Sequence, residues 1–413
     1  MARRMRITGA ASGLGLAALV ALPLGAQEDG GLRLTFGISA RVETASNPGL
    51  TVPAEATSSR LSTRLSFGLT DATRSGAMSL SAAGNLSTDN DDTSADGLID
   101  PDLRFSLKRI GATSSLELSA FLRENDLDRL RSLILDPDTG AVTGDLVGDG
   151  TQRQTGGALT YAFGEGGTWG GTLSAGLTDT TYTGTTTEVD NRRTELGGTL
   201  RFALDPATTV TAGLRWSRYD EDGFPSRDTL RPELSLRRDR PAGFASASVF
   251  AEDTEDGTRV GLSFGRSWDR PGTSFAFSFG ATRGVTGNLS PTGRVDWQKD
   301  LPRGSLNVNL LHEITSGDDD EETIFTTVNL GLSHVVSPLA SVSFGLNASD
   351  SQDTATDETT QNVSLSATYS HSLPFDWILD AGVSHRIRNE DNTGEATSDS
   401  VFLELRRAFE WRP

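Results

Sequence analysis

Twenty stretches of this chain alternate apolar with polar residues at a period of two, the side-chain period of a β-strand. The pattern is plainest in Ser400 to Trp411, which reads S-V-F-L-E-L-R-R-A-F-E-W. Val401, Leu403, Leu405, Phe409 and Trp411 share one parity, and Phe402, Glu404, Arg406, Ala408 and Glu410 share the other. One face of such a strand is apolar and tipped with aromatics, while the opposite face is mostly charged. The stripe is already present near the start of the chain. There Leu32, Leu34, Phe36, Ile38, Ala40 and Val42 alternate with Arg33, Thr35, Gly37, Ser39, Arg41 and Glu43.

A set of strands like this must hide one apolar face each. Only 35% of the 413 residues are hydrophobic, and 45 are Gly. That is low for a large soluble core and sufficient for a barrel with a wet interior. No segment after residue 26 approaches the run of about 18 apolar residues that a spanning helix needs. A closed barrel is then the remaining way across a bilayer, because it pairs every strand's backbone groups.

Residues 1–26 are read as a signal peptide, with residues 27–413 as the barrel. Arg3, Arg4 and Arg6 form a basic start, Ala10 to Leu22 a short apolar segment, and Leu24-Gly25-Ala26 the cleavage site. An exported chain without Cys does not depend on disulfides. Without the three leader arginines, 34 basic residues face 56 acidic ones, a formal charge of −22, which argues against nucleic acid as a partner.

Connections alternate between long and short. The long set includes Thr88–Asp100, Glu124–Gln152, Asp179–Asn191, Asp220–Asp228, Thr315–Thr323, Ser349–Thr360 and Arg388–Asp399, and carries the acid runs D-N-D-D, G-D-D-D-E-E and N-E-D-N. The short set includes Asp205–Thr208, Asp239–Gly243, Asp269–Gly272, Asp300–Arg303, Val336–Leu339 and Ser372–Asp376. Of the six tryptophans, Trp169, Trp268, Trp297, Trp377 and Trp411 lie beside a short turn or the last strand's end, as in an interfacial aromatic girdle, and only Trp216 lies toward a long loop. One strand, Phe244–Ala251, does not declare which parity faces outward.

The amphipathic last strand, ending in aromatics, resembles the C-terminal assembly signal of Gram-negative outer-membrane β-barrels, although Arg412 and Pro413 follow Trp411 here. The resemblance implies an all-β transmembrane antiparallel up-and-down β-barrel of about 20 strands (roughly 18–22), with short periplasmic turns and long external loops. It implies export to the outer membrane, handling by the barrel-assembly machinery, and contact with lipid and lipopolysaccharide. Arg407 falls on the lipid-facing parity, where it would snorkel to the interface.

Two constellations carry chemistry. Glu124–Gln152 is the third external loop, which in general porins folds into the lumen as a constriction; Asp126, Asp128, Arg129 and Arg131 are the lumen-narrowing candidates. Its E-N-D-L-D-R-L-R-S-L-I-L-D start has spacings compatible with a short helix. Inward parity gives the second set: Arg33, Arg41, Arg60, Arg64, Arg201, Arg215, Arg231 and Arg237, with Glu195 and Glu233. Wall arginines bind anionic solutes or pair with carboxylates to hold strands in register. Asp136–Gly140, D-P-D-T-G, lacks the full Ca²⁺-binding loop. No metal, cofactor or nucleophile motif marks an enzyme; His312, His334, His371 and His385 form no cluster.

The functional expectation is a β-barrel porin, a passive channel for small hydrophilic solutes, anionic ones among them, and so a protein of ion transport. The runner-up is a non-conducting or gated barrel for surface-polysaccharide export or adhesion. A homotrimer is left open. The first strand begins close to the leader, which leaves no room for a separate plug and departs from the TonB-dependent receptors.

Overall fold

Backbone pairing turns the alternation into a closed wall. The structure is a computed structural model that describes residues 31–87, 97–127, 133–135, 142–145, 150–185, 188–316, 322–354, 356–391 and 393–413. The leader 1–26, the acid run 89–92, the stretch 136–140 and residues 317–321 lie outside the described residues.

The first half of the chain gives β1 (Gly31–Ala45), β2 (Ser58–Thr73), β3 (Gly76–Ser87), β4 (Gly97–Ile110), β5 (Ser114–Asp126), β6 (Leu133–Leu135), β7 (Val142–Asp145), β8 (Thr151–Phe163), β9 (Trp169–Thr183), β10 (Asn191–Asp205) and β11 (Thr208–Glu221). The second half gives β12 (Arg227–Arg240), β13 (Gly243–Thr254), β14 (Gly257–Arg270), β15 (Thr273–Arg283), β16 (Leu289–Leu301), β17 (Gly304–Ser316), β18 (Glu322–Ser337), β19 (Ala340–Asp353), β20 (Thr359–Ser372), β21 (Trp377–Glu390) and β22 (Gly394–Trp411). All but β6 and β7 form one 20-stranded antiparallel sheet, each strand beside its sequence neighbours. β1 pairs with β22 from Leu34↔Trp411 to Ala45↔Ser400, which closes the ring and removes every open edge. The chain is an outer-membrane β-barrel.

Core and surface are inverted relative to a soluble fold. Ala45, Leu127, Phe325, Ala340 and Ala396 are the buried apolar residues among those described, whereas Leu173, Leu200, Leu214, Leu262, Phe279 and Leu403 are exposed. These exposed side chains share the outward parity, so lipid rather than protein covers them. Trp169, Trp268, Trp297, Trp377 and Trp411 lie on this face near the short-turn rim, with Trp268 stacked on Phe275 and Phe277. Arg407 sits on the lipid face that its parity assigns and, by its register with Trp377, at the same rim, 4.4 Å over Phe409 and 5.8 Å from the Trp377 ring.

Strand β13 shows why its parity was unreadable. Phe244 and Phe250 point into the lumen, because Phe250 is register partner of Glu233 on β12 and Gly261 on β14. A Cβ at Gly261 would collide with the Phe250 ring, so the missing side chain lets the ring lie flat on the wall. Phe402 lies over Gly382, and Phe121 over Gly156, in the same way.

At the outer rim, the β1–β2 loop is latched across the closing seam. Asn47, 3% exposed, donates to the Thr397 carbonyl at 3.2 Å and accepts from the Thr51 and Glu55 amides. Arg386 donates to the Pro48 carbonyl at 2.9 Å. The third external loop corrects one expectation. Residues 133–135 form a strand paired with β7 rather than a helix, since the hairpin satisfies backbone groups that an isolated helical turn would leave open. β7 comes within 8 Å of β19 (Cα–Cα), a distant arc of the wall.

Candidate functional site

Inward-facing residues of β10 to β17 build a recess of about 350 Å³ toward the outer end of the lumen. Arg193, Arg215, Arg218, Arg227, Arg231, Arg259 and Arg294 line it, against the carboxylates Glu233, Glu252 and Glu313. In a chain of formal charge −19, this is a local reversal of sign. Low-dielectric walls strengthen the reversal's effect on an approaching anion.

The centre is a triad drawn from three consecutive strands. Arg231 on β12 donates through Nη1 to Glu252 Oε2 at 3.1 Å, and Arg259 on β14 donates through Nη2 to Glu252 Oε1. One carboxylate thus serves two guanidiniums, and arginine cannot shed its proton to relieve the imbalance. Burial sharpens the problem, for Glu252 is 8% and Arg259 4% exposed. The Nε and Nη1 donors of Arg259 have no acceptor. Each buried unsatisfied donor costs about 1–3 kcal/mol.

Aromatic rings hold these guanidiniums in place. Arg231 lies 4.0 Å over the flattened Phe250 ring, and Arg227 lies 4.8 Å over Tyr219 while pairing with Glu221 at 3.0 Å. Stacking takes rotamer freedom from side chains that would otherwise sweep the lumen. Beside the recess, a second buried carboxylate, Glu322 (4% exposed), accepts from the Val285 amide at 2.7 Å and ties β18 to the β15–β16 loop. Among the described residues, no group of three or more metal-ligating side chains comes together.

The arginines singled out in the sequence divide into three places. Arg215, Arg231 and Glu233 belong to the recess. Glu195 stands next to it, accepting from Arg193 at 2.9 Å. Arg201 and Arg237 lie at the short-turn end, where Arg201 donates to the Gly164 carbonyl at 3.0 Å and Arg237 pairs with Asp239 beneath Phe244. Arg33, Arg41, Arg60 and Arg64 sit on β1 and β2: Arg33 pairs with Glu410, Arg41 with Glu43 and Glu404, Arg60 is opposite Glu43, and Arg64 opposite Ser39 and Asn85. Asp126 closes β5, while its side chain and Asp128, Arg129 and Arg131 lie outside the described residues. Sequence reading missed Arg193, Arg218, Arg227, Glu252, Arg259 and Arg294. Arg227 was placed in a loop, and Glu252 belongs to the strand whose parity was unreadable; inward parity beside a short external turn was the available signal for Arg259.

No family model matches the sequence, and neither does any curated protein. Solved structures do match. The chain is similar to the siderophore receptor PirA from Pseudomonas aeruginosa, with a TM-score of 0.52 and 11% identity over 93% of this chain and 81% of that one. A mutant of the ferric enterobactin receptor PfeA from the same organism gives 0.52 and 10%, over 91% and 80%. The FrpB iron transporter from Neisseria meningitidis gives 0.50 and 9%, over 91% and 82%.

At these identities the likeness is one of fold, and it is to receptors and transporters rather than to enzymes. It overturns the passive porin expectation, with its general sieving of small hydrophilic solutes and its ion transport. The homotrimer finds no support, and neither does polysaccharide export or adhesion. The physical reason is that alternation specifies a wall, and an open sieve and a selective receptor share that wall. What they place in the lumen follows no period.

Proposed function

We propose that this barrel is a receptor-type outer-membrane transporter that captures an anionic solute from outside at its arginine-lined mouth. The observation that carries this reading is the recess itself: seven arginines converge there, two on aromatic rings and one deeply buried with spare donors. A wall built only to keep a pore wet needs exposed polar groups and no buried guanidinium. Recognition needs fixed, partly desolvated donors, whose strength rises as water is excluded. The structural neighbours' names point to iron chelates, many of which are anionic, so an anionic metal chelate is the solute class that fits. No catalytic role forms part of this reading.

Whole-cell uptake tests it. Cells carrying the barrel are offered radio-iron as ferric citrate and as a ferric tris-catecholate, beside a neutral sugar of similar size. Saturable entry of one chelate, with little entry of the sugar, is the expected result. Flux that depends on size alone and never saturates would sink the proposal.

A further inference from the structure

The triad has a more specific consequence, which rests on reading the mouth as a capture site. We infer that Arg259 and Arg231, sharing Glu252, form an oxyanion subsite that takes a carboxylate or phosphate group of the solute. Three observations converge on it. Arg259 is 4% exposed and lines the recess, yet its Nε and Nη1 have no acceptor. Glu252 neutralises only one of the two guanidiniums that it binds. Arg231 is stacked over Phe250, whose ring lies flat because Gly261 leaves it space, so the second guanidinium, 38% exposed, presents its free edge to the lumen beside Arg259.

The chemistry selects the ligand class. A guanidinium donates in its own plane and has no acceptor, so the missing partner is an acceptor carrying negative charge. Planar or tetrahedral oxygen clusters match that fork best. Glu233 and Glu313 also line the recess, and they disfavour an anion lying far from the triad. The subsite is therefore confined to the Arg259 side, two residues along β14 from the external turn that ends at Gly257.

Calorimetric titration of the full-length barrel in detergent, at fixed ionic strength, tests the subsite with inorganic phosphate and, separately, with acetate. Saturable binding of one of them is expected, and which one binds identifies the group. Arg259→Gln should weaken it about tenfold or more, and Arg259→Lys, which keeps the charge without the fork, by less. Glu252→Gln should instead tighten it, because both guanidiniums then lack a partner; a purely structural triad predicts no gain. Heat-modifiable migration on a gel verifies that each variant is folded, and Arg231→Gln replaces any that is not. No saturable binding by the folded wild type, or equal binding by Arg259→Gln, overturns the inference. Uptake without anion binding removes the subsite alone, whereas anion binding without chelate uptake removes the transport reading alone.

Discussion

Two arcs of the same wall use the same three residue types in opposite proportion. At the closing seam, Arg41 stands between two carboxylates, Glu43 at 3.0 Å and Glu404 at 3.8 Å, and lies 3.8 Å over Phe402, whose ring faces Gly382. At the outer recess, Glu252 stands between two guanidiniums, and Arg231 lies over Phe250, whose ring faces Gly261. The seam's central Arg41 is 34% exposed, whereas at the recess Glu252 is at 10% and Arg259 at 4%, and only Arg231, at 38%, opens to lumen water. An exposed surplus of negative charge is screened and costs little. A buried guanidinium with two unfilled donors is not screened, and it asks for a ligand. The comparison separates a register ladder from a binding site built with the same parts.

The sharpest way to break the comparison is to remove the central group of each triad. Glu252→Gln strips the buried Arg259 guanidinium of its carboxylate and should cost about 3–5 kcal/mol. Guanidinium-chloride unfolding of the refolded barrel measures it, and added phosphate should restore part of the loss by linkage. The matching seam change, Arg41→Gln, should cost less than about 1 kcal/mol. Equal losses would mean that the two arcs are equivalent.

The outer skin should not distinguish the arcs. Leu200 (β10) and Leu403 (β22), 47% and 51% exposed, both face lipid, so Leu200→Arg and Leu403→Arg should each cost roughly 2–4 kcal/mol. Thr199→Arg, on the lumen face beside Thr172, should be nearly neutral. The same unfolding curves compare all three. A smaller perturbation sharpens the role of the ring: Gly261→Ala forces Phe250 and Arg231 to move and should cost about 1–3 kcal/mol. It should also weaken anion binding, which Gly382→Ala at the seam should leave alone.

The smallest effect concerns the β9–β10 loop outside the membrane. Burial, and then the charge of Glu221, lift the Glu188 carboxyl above its ordinary range. A raised carboxyl favours the folded loop fully below the unfolded pKa of about 4.3, and that contribution fades as pH rises through the folded value. Protection factors at residues 188–190, with the intrinsic pH dependence of amide exchange divided out, should therefore rise on acidification from neutral pH toward 4, and Glu188→Gln should remove the rise.

Sequence alone determined the wall. All 20 barrel strands were placed from the sequence, from Leu34 in β1 to Leu405 in β22, though β13 without a readable parity, as were the alternation of long and short connections and the tryptophan rim. These follow from a local rule: a period of two assigns every residue to lipid or lumen without reference to its neighbours. The rule failed where lumen residues are aromatic, as at Phe244 and Phe250. It also said nothing of height along the barrel axis. Arg231, Glu252 and Arg259 are each unremarkable inward residues, two of them unnoticed, and they meet because hydrogen-bond register sets β12, β13 and β14 at one level. Register is a property of strand pairs, so parity established which face each arginine occupied, while only the closed tertiary structure decided which ones meet, which are buried and which are short of a partner.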